Sequence, residues 1–231
     1  MKHILVISFV SALLFSGCSL FFDKKMDEKS AQELINDGME AFTHQQYLTA
    51  IESFDKLKDW YPFSKYAILA ELKTADAHYY LGQYAASIVA YESFENLHPR
   101  NEATPYVIFQ LGMSYIQQME TIDRDQTSAK KAVETFNRLK KLYPDSEYAK
   151  QTDSYILQSY KSMTGHEFYI GEFYFKNKHY KAALARFKTV ITVYPDVGYN
   201  QQALEYIARC EAELAKEPTK KKSGFWHLPF L

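Results

Sequence analysis

The chain has 231 residues, 27 basic and 28 acidic, for a formal net charge of −1 with histidine neutral. That balance argues against nucleic acid as a partner, which would call for a basic face, and the length allows one or two domains of ordinary size. Aromatic residues make up 16% of it, with 19 Tyr and 16 Phe against only 8 Gly, a composition that suits stacked helices locking through large side chains.

Met1-Lys2-His3 is a short basic start, and Ile4 to Phe15 is an apolar run too short to cross a membrane comfortably. Ser16 and Gly17 lead into Cys18. This order reads as a secretory signal peptide over 1–17. With cysteine directly after Ser-Gly it resembles a bacterial lipoprotein signal, although Phe15 stands where Leu is usual. The resemblance implies cleavage before Cys18 and a diacylglycerol on its thiol; an ordinary signal peptide with an incidental cysteine is the alternative. Ser19, not the Asp that retains lipoproteins at the inner membrane, implies the periplasmic face of the outer membrane. Loss of 1–17 removes Lys2 and leaves 26 basic and 28 acidic residues, net −2. With Cys18 acylated, Cys210 has no partner for a disulfide, and its place in the run Ala203 to Leu214 predicts a buried, inert thiol. Residues 18–30 read as the lipidated tether.

From residue 31 the chain repeats. Phe54-x2-Leu57-x3-Tyr61-Pro62, Tyr91-x2-Phe94-x3-His98-Pro99, Phe136-x2-Leu139-x3-Tyr143-Pro144 and Phe187-x2-Val190-x3-Tyr194-Pro195 share one spacing. Apolar residues at i, i+3 and i+7 lie on one helical face, and proline then ends the helix. Leu34, Gly38, Ala50, Phe54 and Pro62 fall on the tetratricopeptide pattern; so do Leu111, Gly112, Tyr115, Ala132, Phe136 and Pro144, and Gly171, Tyr174, Ala183, Phe187 and Pro195. The second repeat, with Ala75, Ser87 and Tyr91, matches least. The glycines should let paired helices approach closely, the phenylalanines should fill the space between repeats, and Ser64, Asn101 and Ser146 should cap the following helices. The polar run between Met119 and Ser128 reads as an enlarged turn. Ser146 to Met163 reads as an extra helix, Gly165 as the opening of the next pair with His166-Glu167 at its helix start, and Tyr199 to Leu214 as an end helix. The expectation is an all-α superhelical array of tetratricopeptide-like helix pairs, roughly ten helices: N-terminal repeats with a capping helix over 31–163, a C-terminal repeat and end helix over 164–216, and a tail over 217–231.

The sequence has no Gly-rich phosphate loop, no His-Glu-x2-His, no Gly-x-Ser-x-Gly and no Cys-x2-Cys. No enzyme, cofactor or metal site is expected, and His78 and His98 have no evident carboxylate partner. A repeat array points instead to binding. The inward positions of the first three pairs are Ile35, Met39 and Phe42, then Leu72, Asp76, Tyr79 and Tyr80, then Tyr106, Phe109, Met113 and Ile116. Aromatics and Met with a few polar groups make an adaptable groove for an extended apolar peptide. Tyr79 and Tyr80 offer both a stacking face and a hydrogen bond.

These features together resemble the BamD family (also ComL or YfiO), tetratricopeptide lipoproteins of the outer-membrane β-barrel assembly machinery. The lipoprotein signal, the Tyr-Pro-x-Ser endings, the turn Asp123-Arg124-Asp125-Gln126 before Ala129, and His166-Glu167-Phe168-Tyr169-Ile170-Gly171-Glu172-Phe173-Tyr174 followed by Tyr180-Lys181-Ala182-Ala183 carry the likeness, which covers almost the whole mature chain. It implies a scaffold on the periplasmic face of the outer membrane. Its N-terminal repeats would receive the C-terminal signal of unfolded outer-membrane β-barrel proteins, and its C-terminal repeats would dock on a barrel-forming subunit resembling BamA, beside other assembly lipoproteins. The docking arginine of that family corresponds to Arg186, before Phe187, and Lys178, Lys181 and Lys188 should make this face basic. Lys176-Asn177-Lys178 stands where an Arg-Gly pair is frequent. The alternative is another periplasmic tetratricopeptide lipoprotein acting as a cell-envelope adaptor, resembling CpoB; no heptad run precedes Leu34, as that family would have. The tail, with Lys220-Lys221-Lys222, Phe225-Trp226-His227 and Phe230-Leu231, reads as either disordered or a short docking peptide for a partner or a lipid surface.

Overall fold

The computed structural model describes residues 28–216. Cys18, the signal segment and the tail lie outside the described residues. Among the described residues there are ten helices and no strand: α1 Ala31–Thr43, α2 Tyr47–Trp60, α3 Ala67–Tyr80, α4 Tyr84–Leu97, α5 Thr104–Gln117, α6 Thr127–Leu142, α7 Glu147–Lys150, α8 Asp153–Lys176, α9 Tyr180–Val193 and α10 Asn200–Lys216. The expected all-α array of helix pairs is what forms. From α1 to α6 each helix packs on the next; α7 sits against α5 and α6, α6 packs on α8, α8 on α9, and α9 on α10.

Two kinds of turn alternate, and each has a local cause. Within pairs, three helices end in the same Schellman motif. Gln46 N–H donates to Ala41 O at 2.8 Å, Gln83 N–H to His78 O at 2.9 Å and His179 N–H to Tyr174 O at 2.9 Å. The preceding residue is left-handed each time: Gln45 at φ 60°, Gly82 at φ 71° and Lys178 at φ 61°. Only Gly82 is the residue that conformation favours. Lys178 thus holds, in Lys176-Asn177-Lys178, the left-handed position that glycine would occupy without strain. Between pairs, Tyr61, His98 and Tyr143 accept from the N–H three residues on, at 2.9, 3.0 and 3.1 Å, with proline second in each turn, where its fixed φ is favoured. Ser64 and Asn101 cap these turns, accepting from Tyr66 N–H and Ala103 N–H, and their helices begin a few residues later than expected. Ser146 caps the short α7 through Tyr148 N–H.

The phenylalanines fill space between repeats, as expected, with Phe136 stacked on Tyr155 of α8 at 5.7 Å and Phe187 on Tyr206 of α10 at 4.7 Å, and each also lies on the glycine of its own pair. A Cβ built on Gly38 would stand 2.3 Å from Phe54 Cε1, one on Gly112 2.4 Å from Phe136 Cε1, and one on Gly171 2.7 Å from Phe187 Cε1. All three rings are fully buried. Cys210 is buried too, as expected, and burial pushes its thiol pKa up.

The extra helix and the first helix of the last pair are one element. α8 runs unbroken for 24 residues, so the expected opening at Gly165, and the boundary at 163/164, fall inside a helix. Gly165 is a packing site: a Cβ there would stand 2.8 Å from Tyr199 Oη and 3.1 Å from Ile122 Cγ2. His166 and Glu167 are consequently not at a helix start. His166 Nδ1 lies 2.6 Å from Ile122 O, and Ser162 Oγ donates to Gln126 Oε1 at 2.6 Å, which ties the enlarged 119–126 turn to α8.

The left-handed residues give a stability test. A non-glycine residue there costs about 1–2 kcal/mol, and a Cβ on Gly82 would meet nothing within 4 Å. Gln45→Gly and Lys178→Gly should each raise the melting temperature, and Gly82→Ala should lower it, by an amount near about 1 kcal/mol in chemical denaturation.

Candidate binding surfaces

The structure divides the eleven expected inward residues into three groups. Ile35 is 4%, Asp76 1% and Ile116 9% exposed; none is available to a ligand, which corrects their assignment to the groove surface. Tyr106 and Phe109 meet Tyr148 of α7 at 5.5 and 5.6 Å between ring centroids, and Phe109 also meets Tyr155 of α8 at 6.1 Å. Leu72 and Met113 are half-buried against the same core. The inward side of the third pair is therefore covered by α7 and α8. Met39 and Phe42 of the first pair and Tyr79 of the second are likewise half-buried, and Tyr80 is exposed.

These join an aromatic row that the groove expectation named only in part. Tyr47 and Tyr80 stack at 5.3 Å with their planes 15° apart. Phe42 presents edges to both, at 5.3 and 5.8 Å. Tyr79 links Tyr80 at 5.8 Å to Tyr84 at 5.6 Å. Lys73 Nζ lies 5.0 Å from the Phe42 centroid, a cation over the row's aromatic face. Tyr80 is 53% exposed. Tyr47 and Tyr84 were missed, although a signal existed: each is the first residue of a second helix, directly after a Gln, at the same register.

Asp76 has a structural role. Its Oδ1 accepts from Tyr91 Oη and Tyr106 Oη, both at 2.8 Å, and Oδ2 from Lys73 Nζ at 2.8 Å. Tyr91 belongs to α4 and Tyr106 to α5, so this one carboxylate joins the second pair to the third. Burial first, and then the Asp76 charge, push both phenol pKa values well above the ordinary range. Burial and a hydrogen bond to Glu92 likewise push Tyr115 up to about 12. His98, which had no expected carboxylate, lies with Nε2 2.6 Å from Glu71 Oε2.

The expected docking residues do not form one patch. Lys178 and Lys181 line a cleft of about 490 Å3 with Tyr174, His179, Tyr180 and Leu214, and Arg186 is not part of it. Arg186 Nη1 instead holds Glu167 of α8 through both carboxylate oxygens, at 3.1 and 2.9 Å, and Glu167 has a side chain only 14% exposed. The guanidinium has a carboxylate inside its own chain before any partner arrives. Lys188 is also engaged, 3.4 Å from Glu211.

Repeated helix pairs, glycine–phenylalanine contacts and an accessible aromatic row define a tetratricopeptide-type array with candidate surfaces for binding extended chains. The YfiO family, described as outer membrane lipoprotein, matches residues 27–224, and the chain belongs to that family. Its relatives include proteins named Outer membrane protein assembly factor BamD. That of Caulobacter vibrioides is 26% identical over 198 residues, covering 86% of this chain and 65% of the relative. The Vibrio cholerae protein is 26% identical over 215 residues, 89% of each chain, and the Rickettsia prowazekii protein 26% over 213 residues, 92% of this chain and 85% of its own. A solved tetratricopeptide protein of Thermus thermophilus aligns with a TM-score of 0.44 at 14% identity, over 80% of this chain and 100% of that one. No described helix is long and apolar enough to cross a membrane.

Two outcomes follow. Arg186→Ala should cost about 1–3 kcal/mol, between exposed-pair and buried-pair values, because it strands Glu167. In a double-mutant cycle with Glu167→Gln the losses should be less than additive, read by denaturant titration. The raised phenols set an alkaline limit. They stay protonated in the fold while the unfolded chain's ionise near 10, so their stabilisation is complete below pH 10 and is lost as pH rises towards about 12 for Tyr115. Melting temperatures taken between pH 9 and 12 should fall less steeply for Tyr115→Phe than for the parent.

Proposed function

We propose that this chain is a lipid-anchored periplasmic scaffold of an outer-membrane protein assembly complex. Cys18 is the attachment site, as its place after Ser16-Gly17 indicates. The observation that carries the reading is the family match over 27–224 together with relatives named as outer-membrane protein assembly factors. Three lipid chains, as the lipoprotein signal implies, exceed what stable anchoring needs.

The aromatic row gives the scaffold its substrate surface. Phe42, Tyr47, Tyr79 and Tyr80 offer stacking faces and phenol hydroxyls to the C-terminal segment of an unfolded β-barrel protein, which is extended and rich in alternating apolar side chains. Met39 supplies an adaptable contact. The residues around Asp76 support this row from below and are not ligand contacts. The last pair is the side for a barrel-forming subunit resembling BamA. There the cleft bearing Lys178 and Lys181 is the cationic surface open to partner carboxylates. Arg186 can join only by sharing or exchanging Glu167.

Purification of the chain from detergent-solubilised outer membrane tests the reading. A large β-barrel subunit should co-purify with the parent protein. It should be lost with Lys178→Glu/Lys181→Glu and retained with Tyr47→Ala/Tyr80→Ala, a variant that should instead bind a C-terminal barrel peptide at least about tenfold less tightly, in line with the loss of stacked aromatic anchors. Recovery of the chain without any barrel subunit would refute the assembly role.

A further inference from the structure

The corner where the tether enters the fold differs from its counterparts. The turn Tyr61-Pro62-Phe63-Ser64 is closed by the bond from Ser64 N–H to Tyr61 O at 2.9 Å. Its third residue, Phe63, is 101% exposed. The same position in the next two proline turns holds Arg100 and Asp145, and after Pro195 stands Asp196; all three are polar. One residue before the turn, Trp60 is 45% exposed, whereas Leu97, Leu142 and Val193 stand at that register in the other pairs. Only this turn therefore pairs two exposed aromatics, and proline and the turn hydrogen bond hold Phe63 at the tip.

The tether begins beside this pair. Trp60 lines a cleft of about 310 Å3 with Glu28, Lys29, Leu34, Ser53 and Lys56, and Tyr61 Oη donates to Lys29 O at 3.1 Å. From Cys18 to Glu28 is ten residues, which span at most about 33–36 Å when fully extended. We propose that Trp60 and Phe63 form a second membrane contact, inserting into the interfacial region of the phospholipid leaflet that holds the lipid anchor and so orienting the array. The inference rests on the anchor at Cys18 proposed above. Amphipathic and aromatic side chains prefer the headgroup region. Lys29 and Lys58 are already paired with Asp37 and Asp55, whereas Lys56 in the cleft and Lys65 beside Phe63 can add a salt-screened attraction; the aromatic insertion itself should survive high salt.

The test uses the full acylated chain with Trp226→Phe, which leaves Trp60 as its single tryptophan, in phosphatidylethanolamine–phosphatidylglycerol vesicles with and without brominated acyl chains. Flotation reports the anchor, and Trp60 emission reports the contact. The expected result is co-flotation, a blue-shifted Trp60 and bromolipid quenching that persists in high salt. Phe63→Ser should lower that quenching by about twofold or more while leaving flotation intact, since the lipid chains alone hold the protein. Failure to float would overturn the anchor and, with it, the reach argument. Flotation with Trp60 unquenched would overturn the membrane contact alone. Quenching abolished by salt would overturn its aromatic basis. A Trp60 already shielded in the unlipidated Cys18→Ala chain without vesicles would assign the cleft to residues 19–27 instead. Shielding that appears only when a barrel-forming subunit is co-reconstituted would assign the corner to a protein partner; either result overturns the proposal.

Discussion

The contact on which the array depends is a phenyl ring laid over a glycine. Phe54 on Gly38, Phe136 on Gly112 and Phe187 on Gly171 leave no room for a methyl group, since a Cβ would come within 2.3 to 2.7 Å of ring carbons. The ring sets how closely the paired helices approach, and the length of chain between glycine and ring decides which turn joins them. In the first and last pairs the glycine precedes its phenylalanine by 16 residues (54 − 38 and 187 − 171), and the Schellman turn is the short connection that fits. In the third pair the separation is 24 (136 − 112), yet the contact is the same. The eight added residues are absorbed by the 119–126 turn and do not alter the packing.

The second pair solves the same problem with different chemistry. Ala75 stands at the glycine register and Tyr91 at the phenylalanine register. Alanine and tyrosine replace the ring-on-glycine contact, and the tyrosine brings a hydroxyl that must be satisfied once buried. Asp76 satisfies it. The carboxylate then needs further partners of its own, and Tyr106 and Lys73 supply them. A local departure from the repeat thus becomes a bond between pairs. Tyr79 and Tyr80 of the aromatic row follow Asp76 on the same helix, α3.

The register of the pairs was legible because it depends on spacing alone: glycine, alanine, phenylalanine and proline at fixed intervals. The insertion was legible because it breaks that spacing. The continuity of α8 was not, because Gly165 reads locally as a helix opener, and only Tyr199 and Ile122, distant in sequence, show why a glycine is needed mid-helix. The site residues divide in the same way. Periodicity places Ile35 and Asp76 on an inward face but cannot say how much of that face neighbouring helices cover. Arg186 stands one residue before the core ring Phe187 in the sequence, whereas its pairing with Glu167 depends on the packing of α9 against α8. Tyr47 and Tyr84 both follow a Gln after a left-handed turn residue, a register on the second helices that the inward positions of the first helices do not include.

The two surfaces of the N-terminal pairs lie at opposite ends of the same helix. Tyr47 is the first residue of α2 and Trp60 its last. Fourteen residues rise about 21 Å. The aromatic row is therefore separated from the tether corner by roughly the length of one helix. On the membrane contact proposed above, Phe42, Tyr47 and Tyr80 are set off along α2 from the residues that meet the leaflet, whose acyl chains would compete for them. An apolar binding row on a membrane-anchored protein needs such a separation, because the leaflet is a reservoir of apolar ligand at high local concentration. On the anchor proposed at Cys18, at most about 33–36 Å of extended chain separates the lipid from Glu28, and helix α2 between corner and row is what keeps the two surfaces apart.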